Sequence, residues 1–202
     1  MDSPRRIFVI LGHTAAITPD FTLNDLPGSA GRLDILCRCV TAAFCLSHRI
    51  RTAVEVYLVL QDQVTVRFEG QSVKRLNPDE RSTGALIKRA LEVLQEVPTA
   101  SEQESTPGVF VSRCGLSSIV QPLAAQGVSR FVLHEEGSDI RKVSIKEPAA
   151  FLLSDHQEFT SVEAILLEGC QRLSLGPTVL HADHCISIVH NELDRRAAQL
   201  LQ

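Results

Sequence analysis

The sequence predicts an α/β fold with a mostly parallel sheet, and three observations carry that expectation. Short apolar runs alternate with longer stretches of helical period, the pattern of strands joined by crossover helices. A length of 202 residues suits one domain with a substantial core. The composition, 44% hydrophobic and 22% charged, lies far from the low hydrophobicity that keeps chains unfolded.

The first strand is expected at Arg6–Gly12, whose apolar run Ile7–Leu11 is too short for a leader peptide and ends in Gly12-His13 instead of a cleavage site. An amphipathic helix follows over Gly31–Ser47, then a buried strand over Val54–Leu60. Val64–Glu69 alternates, with Val64, Val66 and Phe68 against Thr65 and Arg67, and reads as a half-exposed hairpin partner near a sheet edge. Asn77-Pro78 turns the chain into a helix over Ser82–Glu96, with Asp79 and Ser82 placed to accept from first-turn amides. Val97–Gly108, polar and with a proline near each end, reads as a loop. Strands at Val109–Arg113, Arg130–His134, Ala150–Leu153 and Arg172–Leu175 then alternate with helices at Leu116–Gln126, Ser161–Gly169 and Ala182–Leu201. In the last helix Ile186, Val189 and Leu193 form an apolar stripe, the polar residues of His190–Arg196 face solvent, and Asn191 is the candidate buried hydrogen-bonding group. Residues 1–202 are read as one domain.

The net charge of −4 excludes a broadly basic surface, because phosphate affinity is carried by Lys and Arg, and here Lys74, Arg75, Lys88, Arg89, Arg141 and Lys142 are scattered. Any RNA site must be local or assembled between subunits. No stretch approaches the roughly 20 apolar residues of a membrane span. The six cysteines lack C-x-x-C spacing and several lie in apolar runs, so reduced thiols and a cytoplasmic protein are expected.

Three constellations carry candidate chemistry. Ser174–Cys185 runs from a strand through Gly176-Pro177 into a helix opening near His181. A glycine for close approach, a rigid proline and unpaired helix-start amides suit a loop that grips a planar heterocycle, and they suit a plain tight turn equally. In the same segment His181, His184 and Cys185, with Asp155 and His156, are metal-compatible residue types without the spacing of an established zinc motif, and no metal is expected. Pro27–Asp34 is glycine-rich and leads into a helix, either as an anion cradle or as a turn with its cap. Arg32 and Asp34 beside that turn suit a site that binds a polar substrate and removes a proton, with a surface ion pair as the alternative. No G-x-S-x-G elbow and no dinucleotide or Walker loop is present.

Several segments in one order resemble the TrmY family of SPOUT methyltransferases: Ile10-Leu-Gly-His-Thr-Ala15, Leu26–Asp34, Leu76-Asn-Pro-Asp-Glu-Arg-Ser-Thr83, Ser174-Leu-Gly-Pro177 and His181-Ala-Asp-His-Cys185 with His190–Arg196. The likeness runs from the first strand to the last helix. It implies a SPOUT-type sheet with a C-terminal trefoil knot, a rare exception to unthreaded chains, and a homodimer. It also implies an S-adenosyl-L-methionine-dependent enzyme acting on N1 of pseudouridine in RNA, at position 54 of tRNA or an equivalent pseudouridine. By position, Leu133, Ser154, Leu175, Gly176, Pro177, Thr178, Val179, Leu180 and Cys185 are implied to line the cofactor pocket. Ser154 stands where the family usually has glycine. The family segments also contain Arg32 and Asp34, taken as the catalytic candidates, Asp34 to remove a proton or orient the ring and Arg32 to hold negative charge. Cys185 is expected to pack against the cofactor and not to act as a nucleophile. The alternative from another class is a non-catalytic RNA-binding protein on the same fold.

Overall fold

The computed structural model describes residues 6–96 and 101–199. The start of the loop predicted at Val97–Gly108 and the end of the helix predicted to reach Leu201 lie outside the described residues. Among the described residues eight strands form one sheet: β1 Arg6–Gly12, β2 Val54–Leu60, β3 Val64–Glu69, β4 Gln103–Thr106, β5 Val109–Ser112, β6 Ser129–Asp139, β7 Ala149–Ser154 and β8 Gln171–Ser174. Their order is β4-β5-β3-β2-β1-β7-β6-β8. The block from β2 to β8 is parallel, and β3, β5 and β4 extend it antiparallel. The helices are α1 Leu26–Ser29, α2 Leu33–Phe44, α3 Glu80–Glu96, α4 Ser117–Ala125, α5 Ser161–Leu166 and α6 Ala182–Gln199.

The central strand β1 is buried on both faces, which is why its sequence is a continuous apolar run. Phe8 and Ile10 face the cluster made with α2, α3 and α6, while Ile7, Val9 and Leu11 face the cluster made with α4 and the α5 region. The result is a three-layer α/β/α sandwich.

Two expectations about the sheet need correction. β3 is not near an edge, because β5 and then β4 pair beyond it. β4 lies inside the segment predicted as loop. Its residues are polar because an edge strand needs no apolar face, and it is held by pairing to β5 and by Glu102 just before it, whose carboxylate accepts from Arg67 at 2.7 and 2.9 Å. Helix α2 starts at Leu33 and not at Gly31, since Gly31 (φ 60°) and Arg32 (φ 64°) are both left-handed. A Cβ on Gly31 would sit 1.8 Å from the Thr14 carbonyl oxygen, so this turn requires glycine.

Asp79 caps α3 as expected, its carboxylate accepting from the Ser82 amide at 2.7 Å, whereas the Ser82 hydroxyl accepts from Asn77 Nδ2. In α6 the stripe Ile186, Val189 and Leu193 is buried, but the buried polar residue is His190 and Asn191 is exposed. His190 Nε2 donates to the Ala43 carbonyl of α2 at 3.0 Å, and its Nδ1 faces Arg6 Nη1 at 3.0 Å. Arg6 also donates to Glu147 and Asp194, and Arg51 donates to Asp194. This network fastens α6 to the start of β1.

Candidate functional site

β1 crosses to β2 through α2 on one face of the sheet, and β7 crosses to β8 through α5 on the other. The loops after β1 and β7 therefore diverge, and such a switch point at the carboxyl ends of parallel strands is where open α/β sheets leave a crevice. A cleft of about 660 Å³ opens at this edge over β7 and β6, within the usual volume of a small-molecule site. Its apolar walls include Leu133, Leu153, Phe159 and Leu167, and Glu135, Glu158 and Arg172 supply charge. An adjoining hollow of about 80 Å³ shares Leu133, Val179 and Cys185 with it. Strand β6 makes room for both: its pairing with β8 slips between Leu133 and Ser138, and His134 and Glu135 bulge into the opening.

The residues implied by the resemblance fall largely on these two hollows. Leu133, Ser154, Val179 and Cys185 line the cleft, and Leu175, Gly176, Thr178 and Leu180 line the smaller hollow. Pro177 lies on the same loop but lines neither. Gly176 has φ 154° and open space where a Cβ would sit, so its glycine is a backbone requirement and not a matter of room. The Ser154 hydroxyl donates to the Gln157 carbonyl, closing the turn after β7. Cys185 is partly buried, and burial followed by the nearby Asp183 charge pushes its thiol up to about 11. It is a neutral thiol at physiological pH, which suits packing and not attack.

Arg32 and Asp34 stand at the same edge, outside both hollows. The Asp34 carboxylate, 4% exposed, accepts from Arg32 Nε and Nη2 at 3.1 and 3.2 Å and from Arg38 Nη1 at 3.0 Å. Burial by itself would raise its pKa, but the two guanidiniums outweigh burial and hold the carboxyl below its ordinary value. The pair thus joins a buried carboxylate to a half-exposed guanidinium, and its carboxylate is a weak base. The Arg32 guanidinium is half exposed and within electrostatic reach of Asp155. Asp25 caps the short α1, accepting from the Gly28 and Ser29 amides at 3.0 Å each, whereas α2 opens at Leu33 with no side-chain cap. The turn-and-cap alternative describes Pro27–Gly31. Of the candidate metal residues, His181 and His184 pack ring against ring at 5.7 Å, and among the described residues no group of three or more His, Cys, Asp or Glu is placed to hold a metal.

One cluster escaped the sequence reasoning. His13, at the end of β1, places Nδ1 2.9 Å from Asp155 Oδ1 and Nε2 3.1 Å from Glu163 Oε2, and its amide donates to Asp155 Oδ2 at 2.9 Å. Burial would lower the pKa of His13, yet the bonds and charges of the two carboxylates raise it above its ordinary value. Only the Thr160-x-x-Glu163 capping box at the start of α5 is a local signal for any part of this cluster.

Residues 5–198 match the family model described as "Putative SAM-dependent RNA methyltransferase". The chain is 51% identical over 191 residues to the tRNA (pseudouridine(54)-N(1))-methyltransferase of Haloferax volcanii, covering 94% of this chain and 96% of that one. It is 46% identical over 202 residues to the enzyme of the same name from Methanocorpusculum labreanum, covering 95% and 98%. Among solved structures, Archaeoglobus fulgidus Nep1 bound to S-adenosylhomocysteine superposes with a TM-score of 0.67 over 97% of this chain and 100% of that one, at 15% identity. That likeness is one of fold.

Proposed function

The chain belongs to the family of SAM-dependent RNA methyltransferases, and we propose that it transfers a methyl group from S-adenosyl-L-methionine to N1 of a pseudouridine in RNA, at position 54 of tRNA or an equivalent pseudouridine. The observation that carries the reading is the near full-length identity of 51% to a protein of that named activity. The cleft suits such a cofactor: it has the volume, apolar walls for an adenine, and carboxylates for ribose hydroxyls and for the ammonium and sulfonium charges. Leu133, Ser154 and Cys185, with Leu175 to Leu180 of the neighbouring loop, would hold it. When bound, adenosylmethionine supplies a methyl group activated by its sulfonium.

The acceptor nitrogen gains the methyl carbon and loses its proton, so negative charge builds on the base as that proton leaves. Arg32 is the cation at the edge of the site that stabilises this charge or an RNA phosphate. Asp34 acts through Arg32, holding the guanidinium in place with both oxygens, and Arg38 braces it from α2. Its lowered pKa supports the orienting role over proton removal. Our reading includes a C-terminal trefoil knot around Ser174–Cys185, supported by the family resemblance, and a cytoplasmic location, supported by six cysteines without a pairing pattern. It includes a homodimer. Val162 and Ile165 on α5 are 64% and 65% exposed, apolar side chains that a second subunit would cover.

The test is incubation with labelled adenosylmethionine and two T-loop RNAs, one with pseudouridine and one with uridine at the target position. Digestion and mass spectrometry should give N1-methylpseudouridine from the first RNA alone. Cofactor binding with no methyl transfer to any pseudouridine-containing tRNA would leave the non-catalytic alternative standing.

A further inference from the structure

We infer that His13 is a positioning residue for the methyl transfer, a brace that sets the outer wall of the cofactor cleft. The inference rests on the reading of that cleft as the adenosylmethionine site. The wall is the segment from Ser154 into α5, which contributes Ser154, Gln157, Glu158 and Phe159 and then Ala164 and Leu167 to the cleft. Among the described residues the His13 ring is the one side chain that bonds both ends of this segment, at Asp155 and at Glu163.

Each end has further duties that make the brace effective. Asp155 Oδ1 also accepts from the Gln157 amide, so the carboxylate that meets His13 shapes the turn that enters the cleft. Glu163 Oε2 also accepts from the Thr160 amide at 2.7 Å, so the carboxylate that meets the other nitrogen caps α5. His13 is itself fixed, because its strand is central in the sheet and Gly12 before it accepts from the Gln61 amide. A rigid strand end therefore reaches across the switch point and pins a loop whose inner side faces the ligand. Binding both carboxylates as a donor requires hydrogens on both ring nitrogens, that is, the imidazolium. Its charged surroundings are Asp155 and His156 after β7, Glu163 on α5, Asp62 of the β2–β3 turn, which with His13 and Glu163 lines a separate hollow of about 340 Å³, and Arg32 before α2, whose field reaches Asp155. Loss of the proton leaves one nitrogen as an acceptor facing a carboxylate; the Asp155 end stays tied to β1 through the His13 and Asp155 amides, so the end that comes free is Glu163.

The sign of the pH effect follows. The His13 pKa is raised in the folded protein, so the brace is complete below about pH 6.5 and is lost as pH rises through the elevated value. The experiment is calorimetric titration of the full-length protein with adenosylmethionine across that range, for wild type, His13→Gln and His13→Asn. Gln reaches toward Glu163 and Asn toward Asp155, and neither titrates. Wild-type affinity should fall on the order of tenfold as pH rises, as one charge-assisted bond is lost. Both variants should bind roughly tenfold more weakly at low pH with no pH dependence in this range, while retaining the wild-type circular dichroism spectrum. Wild-type binding at all pH values with unchanged affinity in both variants overturns the brace and leaves the cleft as the cofactor site. A wild type that binds no adenosylmethionine overturns the site itself and the brace with it. If the Asn and Gln variants fail to fold, the wild-type profile decides alone: a flat profile overturns the proposal and a falling one upholds it.

Discussion

His190 should make this protein acid-labile, by an amount that can be worked from its surroundings. It is 2% exposed on α6, stacked edge-on against Phe8 at 4.9 Å, with Nε2 donating to Ala43 and Nδ1 turned to Arg6. The guanidinium can only donate, so Nδ1 accepts and the neutral tautomer is fixed. Burial, then the charges of Arg51 and Arg6, lower its pKa to about 3. The unfolded chain takes up this proton near pH 6.5, and the folded chain does not until about pH 3. The stabilisation is therefore complete above the unfolded value and is lost as pH falls toward the folded one. By about pH 4.5, two units below the unfolded value, the loss from this group is about 3 kcal/mol at roughly 1.4 kcal/mol per unit. Urea denaturation of wild type and His190→Gln at about pH 7.5 and pH 4.5 isolates it, because other titrating groups cancel in the difference. The variant should be less stable at the higher pH, and the gap should close by roughly 3 kcal/mol at the lower one. A stability difference that does not change with pH would refute the buried neutral histidine.

Three further outcomes follow from the site. Asp34→Asn should lower turnover by about 10- to 100-fold with adenosylmethionine affinity unchanged, measured by methyl incorporation and calorimetry, because it loosens Arg32 without touching the cleft; wild-type turnover in both Asp34→Asn and Arg32→Ala would remove these two residues from the mechanism. Cys185→Ser should weaken cofactor binding a few-fold and leave turnover at saturating cofactor nearly intact, whereas total loss of chemistry with normal binding would make the thiol a nucleophile. Gly31→Ala should destabilise the fold by about 3 kcal/mol or more, or abolish soluble expression, since a Cβ meets the Thr14 carbonyl in a left-handed turn; a thermal midpoint within a few degrees of wild type would contradict this geometry.

Much of this molecule is local, and local physics is legible in a sequence. The buried run Ile7–Leu11, the stripe Ile186, Val189 and Leu193, and the Asp79 cap each declare themselves within one or two helical turns or a single strand. The candidate pocket residues were accessible by a different route, the order of short segments along the whole chain. What stayed hidden depended on partners far away in sequence. Gln103–Thr106 is polar enough to be a loop and is a strand because β5 offers it an edge. His190 reads as solvated helix surface and is buried because Arg6 and Ala43 receive its ring.

By itself the sequence determined the alternation of strands and helices, the continuous apolar runs that demand two covered faces, and the segments through which the family can be seen. It took folding to clasp Asp34 between two arginines, which makes it a poor base, and to bond the Ser154 hydroxyl to the Gln157 carbonyl. The tertiary structure alone brought His13 to Asp155 and Glu163. The physical reason is the same in each case: hydrophobic periodicity is a property of neighbours along the chain, whereas a pKa or a hydrogen bond at a strand edge depends on groups that only folding brings within about 3 Å.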